Sequence, residues 1–154
     1  MKKSKRPTWD KYFMAMAKVA RTRSTCIRLK VGAVIVKDKR VIATGYSDTP
    51  QGVTNCGEGG CDRCDKREKG IYQANEQKDK CICVHAEQNV LLQSAYHGVP
   101  TKDSTVYSTV TPCNNCAKML INAGVTRVVI SEDYSDDEGV KLLRVAGVTV
   151  EKCK

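Results

Sequence analysis

The chain has 154 residues, 41% of them hydrophobic, which suits one compact domain with a core of its own. Its formal charge of +9 favours a phosphate-bearing partner, although Lys2, Lys3, Lys5 and Arg6 carry part of it and a solvated basic surface accounts for it equally well. No apolar run approaches the roughly 20 residues of a membrane helix, no signal-peptide core is seen, and nine cysteines then read as reduced thiols and metal ligands of a cytoplasmic protein.

Trp9 to Arg21 carries Tyr12, Phe13, Met16 and Val19 at helical spacing just after Pro7, which predicts an amphipathic helix with those residues in the core. Val31 to Val36 and Val41 to Thr44 are short β-rich runs separated by Lys37-Asp38-Lys39-Arg40, the pattern of an antiparallel hairpin. From about 47 to 83 the periodicity dissolves into a polar insert, and five of the nine cysteines fall between Cys56 and Cys83. Such a segment cannot build a core alone and calls for a metal staple. Beyond it the order is regular: a helix from about His85 to Tyr96, a strand from Thr105 to Thr109, a helix from about Cys113 to Ala123. A strand from Arg127 to Ser131, a helix near Asp137 to Ala146 and a strand from Val148 to Glu151 follow. The alternation after an initial hairpin predicts a single α/β domain over 1–154, its five-stranded mixed sheet covered by helices on both faces.

Two motifs carry chemistry. His85-Ala86-Glu87 and Pro112-Cys113-Asn114-Asn115-Cys116 together supply three zinc ligands, His85, Cys113 and Cys116, and one proton carrier, Glu87. Three protein ligands leave a tetrahedral zinc with one position for water, whereas a structural zinc is closed by four. Cys113 and Cys116, three apart at a helix start, turn both sulfurs to one side, and the helix dipole and the metal favour their thiolates. Glu87 lies two residues beyond His85, on another side of the helix, which suits an acid/base beside the water better than a fourth ligand. A lone CxxC or HxE means little, but their combination with Pro112 matches the signature of zinc deaminases.

Cys26, Cys56, Cys61, Cys64, Cys81 and Cys83 lie outside that motif. Six thiols around one polar insert exceed what core packing requires, so a second, closed zinc site is expected among them. Cys153 looks incidental.

Several blocks extend the match over nearly the whole chain: Arg6-Pro7-Thr8-Trp9-Asp10-Lys11-Tyr12-Phe13-Met14, Lys30-Val31-Gly32-Ala33-Val34-Ile35-Val36, Thr44-Gly45-Tyr46, His85-Ala86-Glu87-Gln88-Asn89, Pro112 to Lys118, and Ala123-Gly124-Val125. With these the sequence resembles the cytidine deaminase superfamily, and within it the deoxycytidylate (dCMP) deaminases. The resemblance implies the three-layer α/β/α cytidine deaminase-like fold and zinc-dependent hydrolysis of dCMP to dUMP and ammonia, supplying dUMP for dTTP synthesis. Glu87 would take a proton from zinc-bound water and deliver it to ring N3, the resulting hydroxide would attack C4, and Glu87 would then protonate the departing amine. The backbone N–H of Ala86 and carbonyls near Thr111 and Pro112 would hold the base edge.

The same resemblance places Arg23 and Ser24, with Lys30 behind them, near the phosphate, and Tyr134 against the nucleotide. Arg23 as a helix C-terminal cation and Tyr134 as a surface-loop residue are equally compatible with the sequence. Where the family reads Gly-Tyr-Asn-Gly this chain has Gly45-Tyr46-Ser47-Asp48, so Ser47 brings a shorter hydroxyl side chain to a place associated with nucleotide contacts. The resemblance further implies a structural zinc on Cys26, Cys56, Cys61 and Cys81, with Cys64 and Cys83 as alternatives. It also implies a homo-oligomer with a hexamer favoured; dCTP stays open as an additional substrate, and the dCTP and dTTP effectors of many relatives, with Mg2+, stay open for this chain given the Ser47-Asp48 departure. The competing readings are a polynucleotide deaminase acting on cytosine or adenine in tRNA or single-stranded DNA, and a zinc-stabilised binding module. One Phe, one Trp and six Tyr provide no basic-aromatic platform for nucleic acid, and a binding module has no use for Glu87.

Overall fold

A computed structural model describes residues 5–133 and 136–154. Helix α1 spans Trp9–Arg21, with Thr8 capping it by accepting the Lys11 N–H. Strands β1 (Gly32–Lys37) and β2 (Arg40–Tyr46) form the expected hairpin. Asp38 and Lys39 both take positive φ at its tip, the backbone that two-residue hairpin turns require. Helix α3 (Ala86–Tyr96), strand β3 (Ser104–Val110), helix α4 (Asn114–Asn122), strand β4 (Val125–Glu132), helix α5 (Glu138–Val145) and strand β5 (Thr149–Lys152) complete the domain, after a short insert helix α2 (Asp62–Glu68).

The sheet runs β2-β1-β3-β4-β5, antiparallel across the first three strands and parallel across the last three. Strand alternation sends side chains to two cores. Ala33, Ile35, Val106, Val128 and Ile130 face Val90, Ala117, Leu120 and Leu143 of α3, α4 and α5. Val34, Val36, Tyr107 and Val129 face Phe13, Met14 and Ala17 of α1. The result is the three-layer α/β/α arrangement, and because β1 is covered on both sides it reads as a continuous apolar run. Within α1, Tyr12 and Val19 are exposed rather than buried, since the helix lies on the sheet through Phe13, Met14 and Ala17. Cys153 packs against this α1 layer.

The insert has no apolar core. Its interior is thiol: Cys26, Cys56, Cys61 and Cys64 are buried together, with Cys81 and Cys83 against them. Arg63 adds the other internal tie, its buried guanidinium donating to the carbonyls of Ala74 and Glu76. Among the described residues no helix is long and apolar enough to cross a membrane.

Candidate active site

His85 is the N-cap residue of α3 and Cys113 that of α4, so two helix N-termini meet at the carboxyl end of β3. Their closeness rests on two glycines. A Cβ on Gly45 would fall 2.6 Å from the Ala86 carbonyl, so β2 can press on the first turn of α3. A Cβ on Gly139 would fall 2.2 Å from the Pro112 carbonyl, so α5 can back the Pro112-Cys113 corner. The Asn89 amide donates to the Tyr46 carbonyl at 2.8 Å and the His85 N–H donates to Gln88 Oε1 at 2.8 Å, fixing the start of α3.

His85, Cys113 and Cys116 form one group whose ligand atoms all lie within 4.8 Å of one another. The His85 Nδ1 stands 3.5 Å from Cys113 Sγ and 3.3 Å from Cys116 Sγ. A tetrahedral zinc with bonds of about 2.1 Å to nitrogen and about 2.3 Å to sulfur separates such ligands by about 3.5 Å, so the donor set and its spacing fit zinc. The Cys116 thiol and then His85 stabilise the Cys113 thiolate, lowering its pKa to about 4. The neighbouring Cys113 raises the pKa of His85 in turn.

Glu87 is buried beside this triad, with one carboxylate oxygen 3.8 Å from Cys116 Sγ and the other accepting the Ser108 hydroxyl at 2.9 Å. Burial pushes its carboxyl above the usual carboxylate range, against the Ser108 hydrogen bond, so it takes up a proton more readily than an exposed glutamate. Ser108 itself is fully buried on β3 and was not legible from the sequence. Its role depends on the two elements folding together.

The triad and Glu87 open into a cleft of about 650 Å3, within the range of small-molecule sites. Ala86, Ser47 and Thr111 line it along with Leu29, Val31 and Val110. Its cations are Arg28, Arg63 and Lys78. Arg23, Ser24 and Lys30, expected at the phosphate, are not among the lining residues. Arg23 is exposed just beyond α1. Ser24 is buried because the turn after α1 directs its hydroxyl under the hairpin, where it donates to the Ser47 carbonyl and accepts the Cys26 N–H. Tyr134 lies outside the described residues.

Ser47 differs from its expected role for a similar reason. Its hydroxyl donates to the Leu29 carbonyl at 3.0 Å and accepts the Val31 N–H at 2.9 Å, so it pins one wall of the cleft. Asp48, which the sequence marked only as part of the departure from the family pattern, accepts the Thr25 N–H at 2.6 Å, the Thr25 hydroxyl at 2.9 Å, the Thr49 N–H at 2.8 Å and the Cys56 N–H at 3.3 Å. Burial opposes its charge, but these donors together hold its pKa below the usual range. Its backbone pairs with Val84, one residue before His85. Asp48 thus joins the segments carrying Cys26, Cys56 and His85.

The six remaining cysteines fall into two overlapping groups of possible ligands, Cys26, Cys56, Cys64, Cys83 and Cys61, Cys64, Cys81, Cys83. The expected quartet of Cys26, Cys56, Cys61 and Cys81 is therefore divided between them. Cys64, on α2, and Cys83 lie between the two pairs, an arrangement that sequence order could not reveal.

A family profile described as the cytidine and deoxycytidylate deaminase zinc-binding region matches residues 7–132. The chain is 42% identical over 146 residues to a deoxycytidylate deaminase of Saccharomyces cerevisiae, covering 94% of this chain and 45% of that protein. It therefore spans less than half the length of that relative. The chain is 41% identical to ComE operon protein 2 of Bacillus subtilis, over 96% of this chain and 72% of the other. Among solved structures, the dCMP deaminase of cyanophage S-TIM5 in complex with dCMP and dUMP superposes with a TM-score of 0.78 at 32% identity, over 97% of this chain and 100% of that one.

Proposed function

This chain belongs to the cytidine and deoxycytidylate deaminase zinc-binding family, and from that premise we propose that it hydrolyses dCMP to dUMP and ammonia, supplying dUMP for dTTP synthesis. The observation that carries the reading is the burial of Glu87 against the group of His85, Cys113 and Cys116, inside a cleft of nucleotide size. The relatives named for deoxycytidylate deamination, one of them solved with dCMP and dUMP, support the substrate.

His85, Cys113 and Cys116 would hold a zinc ion, which when bound would acidify a water far below its value in bulk solvent, towards ~7. Glu87 does the proton work. Its carboxylate, oriented by the Ser108 hydroxyl, takes one proton from the attacking water and delivers it to ring N3; once the water oxygen is bonded to C4, Glu87 carries that oxygen's remaining proton to the amine, which leaves as ammonia. The Ala86 N–H and the Thr111 carbonyl, on residues that line the cleft, hold the base edge. Arg63 is buried with Nε and NH2 committed to the insert's carbonyls, whereas Arg28 makes a long 3.4 Å surface ion pair with the exposed Glu68, so Arg28 and Lys78 are the cations we assign to the phosphate. One zinc serves this centre and the cysteine-rich insert holds structural zinc. The exposed apolar side chains Trp9 and Tyr12 on α1 and Leu92 and Tyr96 on α3 support assembly into a homo-oligomer, for which we propose a hexamer.

The test is ammonia release from dCMP, dCTP, deoxycytidine, CMP and a cytosine-bearing oligonucleotide assayed side by side, with dCTP or dTTP added in the presence of Mg2+ as effectors. Preference for dCMP is expected. Activity on the oligonucleotide alone would replace this reading with polynucleotide deamination, and no release from any substrate would overturn it.

A further inference from the structure

The six cysteines of the insert region do not form one tetrahedron with two spares. They form two overlapping groups of four with two members in common: Cys64 and Cys83 belong to both groups, while Cys26 and Cys56 belong to one and Cys61 and Cys81 to the other. Cys81 Sγ stands 3.9 Å from Cys61 Sγ and 3.8 Å from Cys64 Sγ. Two sulfurs bound to one zinc at about 2.3 Å in tetrahedral geometry are separated by about 3.8 Å. Within each group every sulfur, those of Cys64 and Cys83 included, lies within 4.8 Å of the other three.

From this shared pair we propose that the insert is held by a binuclear zinc cluster in which Cys64 and Cys83 bridge two ions, one completed by Cys26 and Cys56 and the other by Cys61 and Cys81. It extends the reading that the insert holds structural zinc, but does not depend on the substrate. Thiolate sulfur has lone pairs enough to bind two metals. Loading two Zn2+ onto six thiols releases six protons and leaves a net charge of −2 on the cluster, with Arg28, Arg63 and Lys78 lining the adjoining cleft.

The fold gives each ion a separate task. Cys26 and Cys56 connect the segment after α1 to the beginning of the insert, and Cys61 and Cys81 connect the start of α2 to the insert's end. A single ion in either group would leave the opposite pair unfastened in a segment whose only buried cluster is those same thiols. Cys83 also stands two residues before His85, so one bridging sulfur anchors the approach to the catalytic ligand set. The predicted quartet is then the set of four terminal ligands, and the two alternatives are the bridges.

The deciding experiment combines native mass spectrometry and elemental analysis of the full chain, purified under reducing conditions, with zinc X-ray absorption. About three zinc ions per chain are expected, one catalytic and two in the cluster, with a zinc–zinc distance of about 3 Å, as tetrahedra of about 2.3 Å bonds sharing an edge require. A Cys61→Ser variant is expected to lose one ion and the zinc–zinc signal. Two zinc ions per chain, with or without a Cys61–Cys81 disulfide, would overturn the binuclear cluster while leaving a single structural zinc. One zinc ion would overturn the staple itself. Iron in place of zinc, three zinc ions without the short distance, or an unchanged zinc content in folded Cys61→Ser would each refute the bridged arrangement. None of these outcomes depends on deaminase activity.

Discussion

Replacing Asp48 removes the connection between the hairpin, the cysteine-bearing loops and the approach to His85. Its carboxylate is buried, 6% exposed, and accepts three backbone N–H groups and one hydroxyl. In Asp48→Ala the N–H groups of Thr25 and Cys56 lose their partner. At about 1–3 kcal/mol for each buried donor left unpaired, the two together cost about 2–6 kcal/mol. Asp48→Asn keeps the shape but turns an NH2 group towards N–H donors, and about 2 kcal/mol of destabilisation is expected from that conflict. The assay is urea unfolding of the zinc-loaded proteins together with the rate of zinc loss to a chelator. Both variants are expected to unfold at lower urea and to release insert zinc faster. A change below about 0.5 kcal/mol, the range of an ordinary surface substitution, would refute the assigned role.

Three further outcomes follow from the same geometry. Ser108→Ala removes the hydroxyl that orients Glu87; at about 1.4 kcal/mol for one buried hydrogen bond to a charge, kcat on dCMP should fall about tenfold with zinc content unchanged, and an unaltered kcat would exclude that positioning. Arg28→Ala and Lys78→Ala should raise KM for dCMP about tenfold with little effect on deoxycytidine, whereas Arg23→Ala should not; equal effects on both substrates would remove these cations from the phosphate site. Asp10 accepts both Arg127 NH1 and NH2 and the Tyr107 hydroxyl, and the Arg127 hydrogen bonds, acting against desolvation, hold its pKa below the usual value. A depressed folded-state pKa contributes stability above the unfolded value near ~3.9 and loses it as pH falls through the folded value. Both side chains are about a third exposed, 36% for Asp10 and 30% for Arg127, so screening limits Asp10→Asn to about 1 kcal/mol at pH 7, read from urea midpoints. The difference from the native chain should shrink below pH ~4; a constant difference would contradict the ion pair.

Much of the architecture was written into local pattern. The α1 boundaries, the hairpin and the later alternation of strands and helices follow from periodicity and turn residues, and His85 and Cys113 stand at helix N-caps with Cys116 in the first turn of α4. What stayed hidden depends on partners remote in sequence. Helix α2, Asp62–Glu68, carries no apolar stripe and is held through Arg63 and Cys64. Ser108 and Asp48 gain their roles from Glu87, Thr25 and Cys56, none of them neighbours along the chain. Ser24 and Ser47 are the reverse case: both look available for a ligand in the sequence, and the fold uses their hydroxyls to bind its own backbone.

The central claim is that Glu87 carries the proton while His85, Cys113 and Cys116 hold the zinc, and Glu87→Gln separates these two duties. The direct measurement is ammonia release from dCMP by this variant, with zinc per chain determined on the same sample. Zinc content equal to that of the native chain and a turnover lower by about 10²–10⁴-fold are predicted, the size of a general acid–base contribution. Near-normal turnover at full zinc loading would contradict the account.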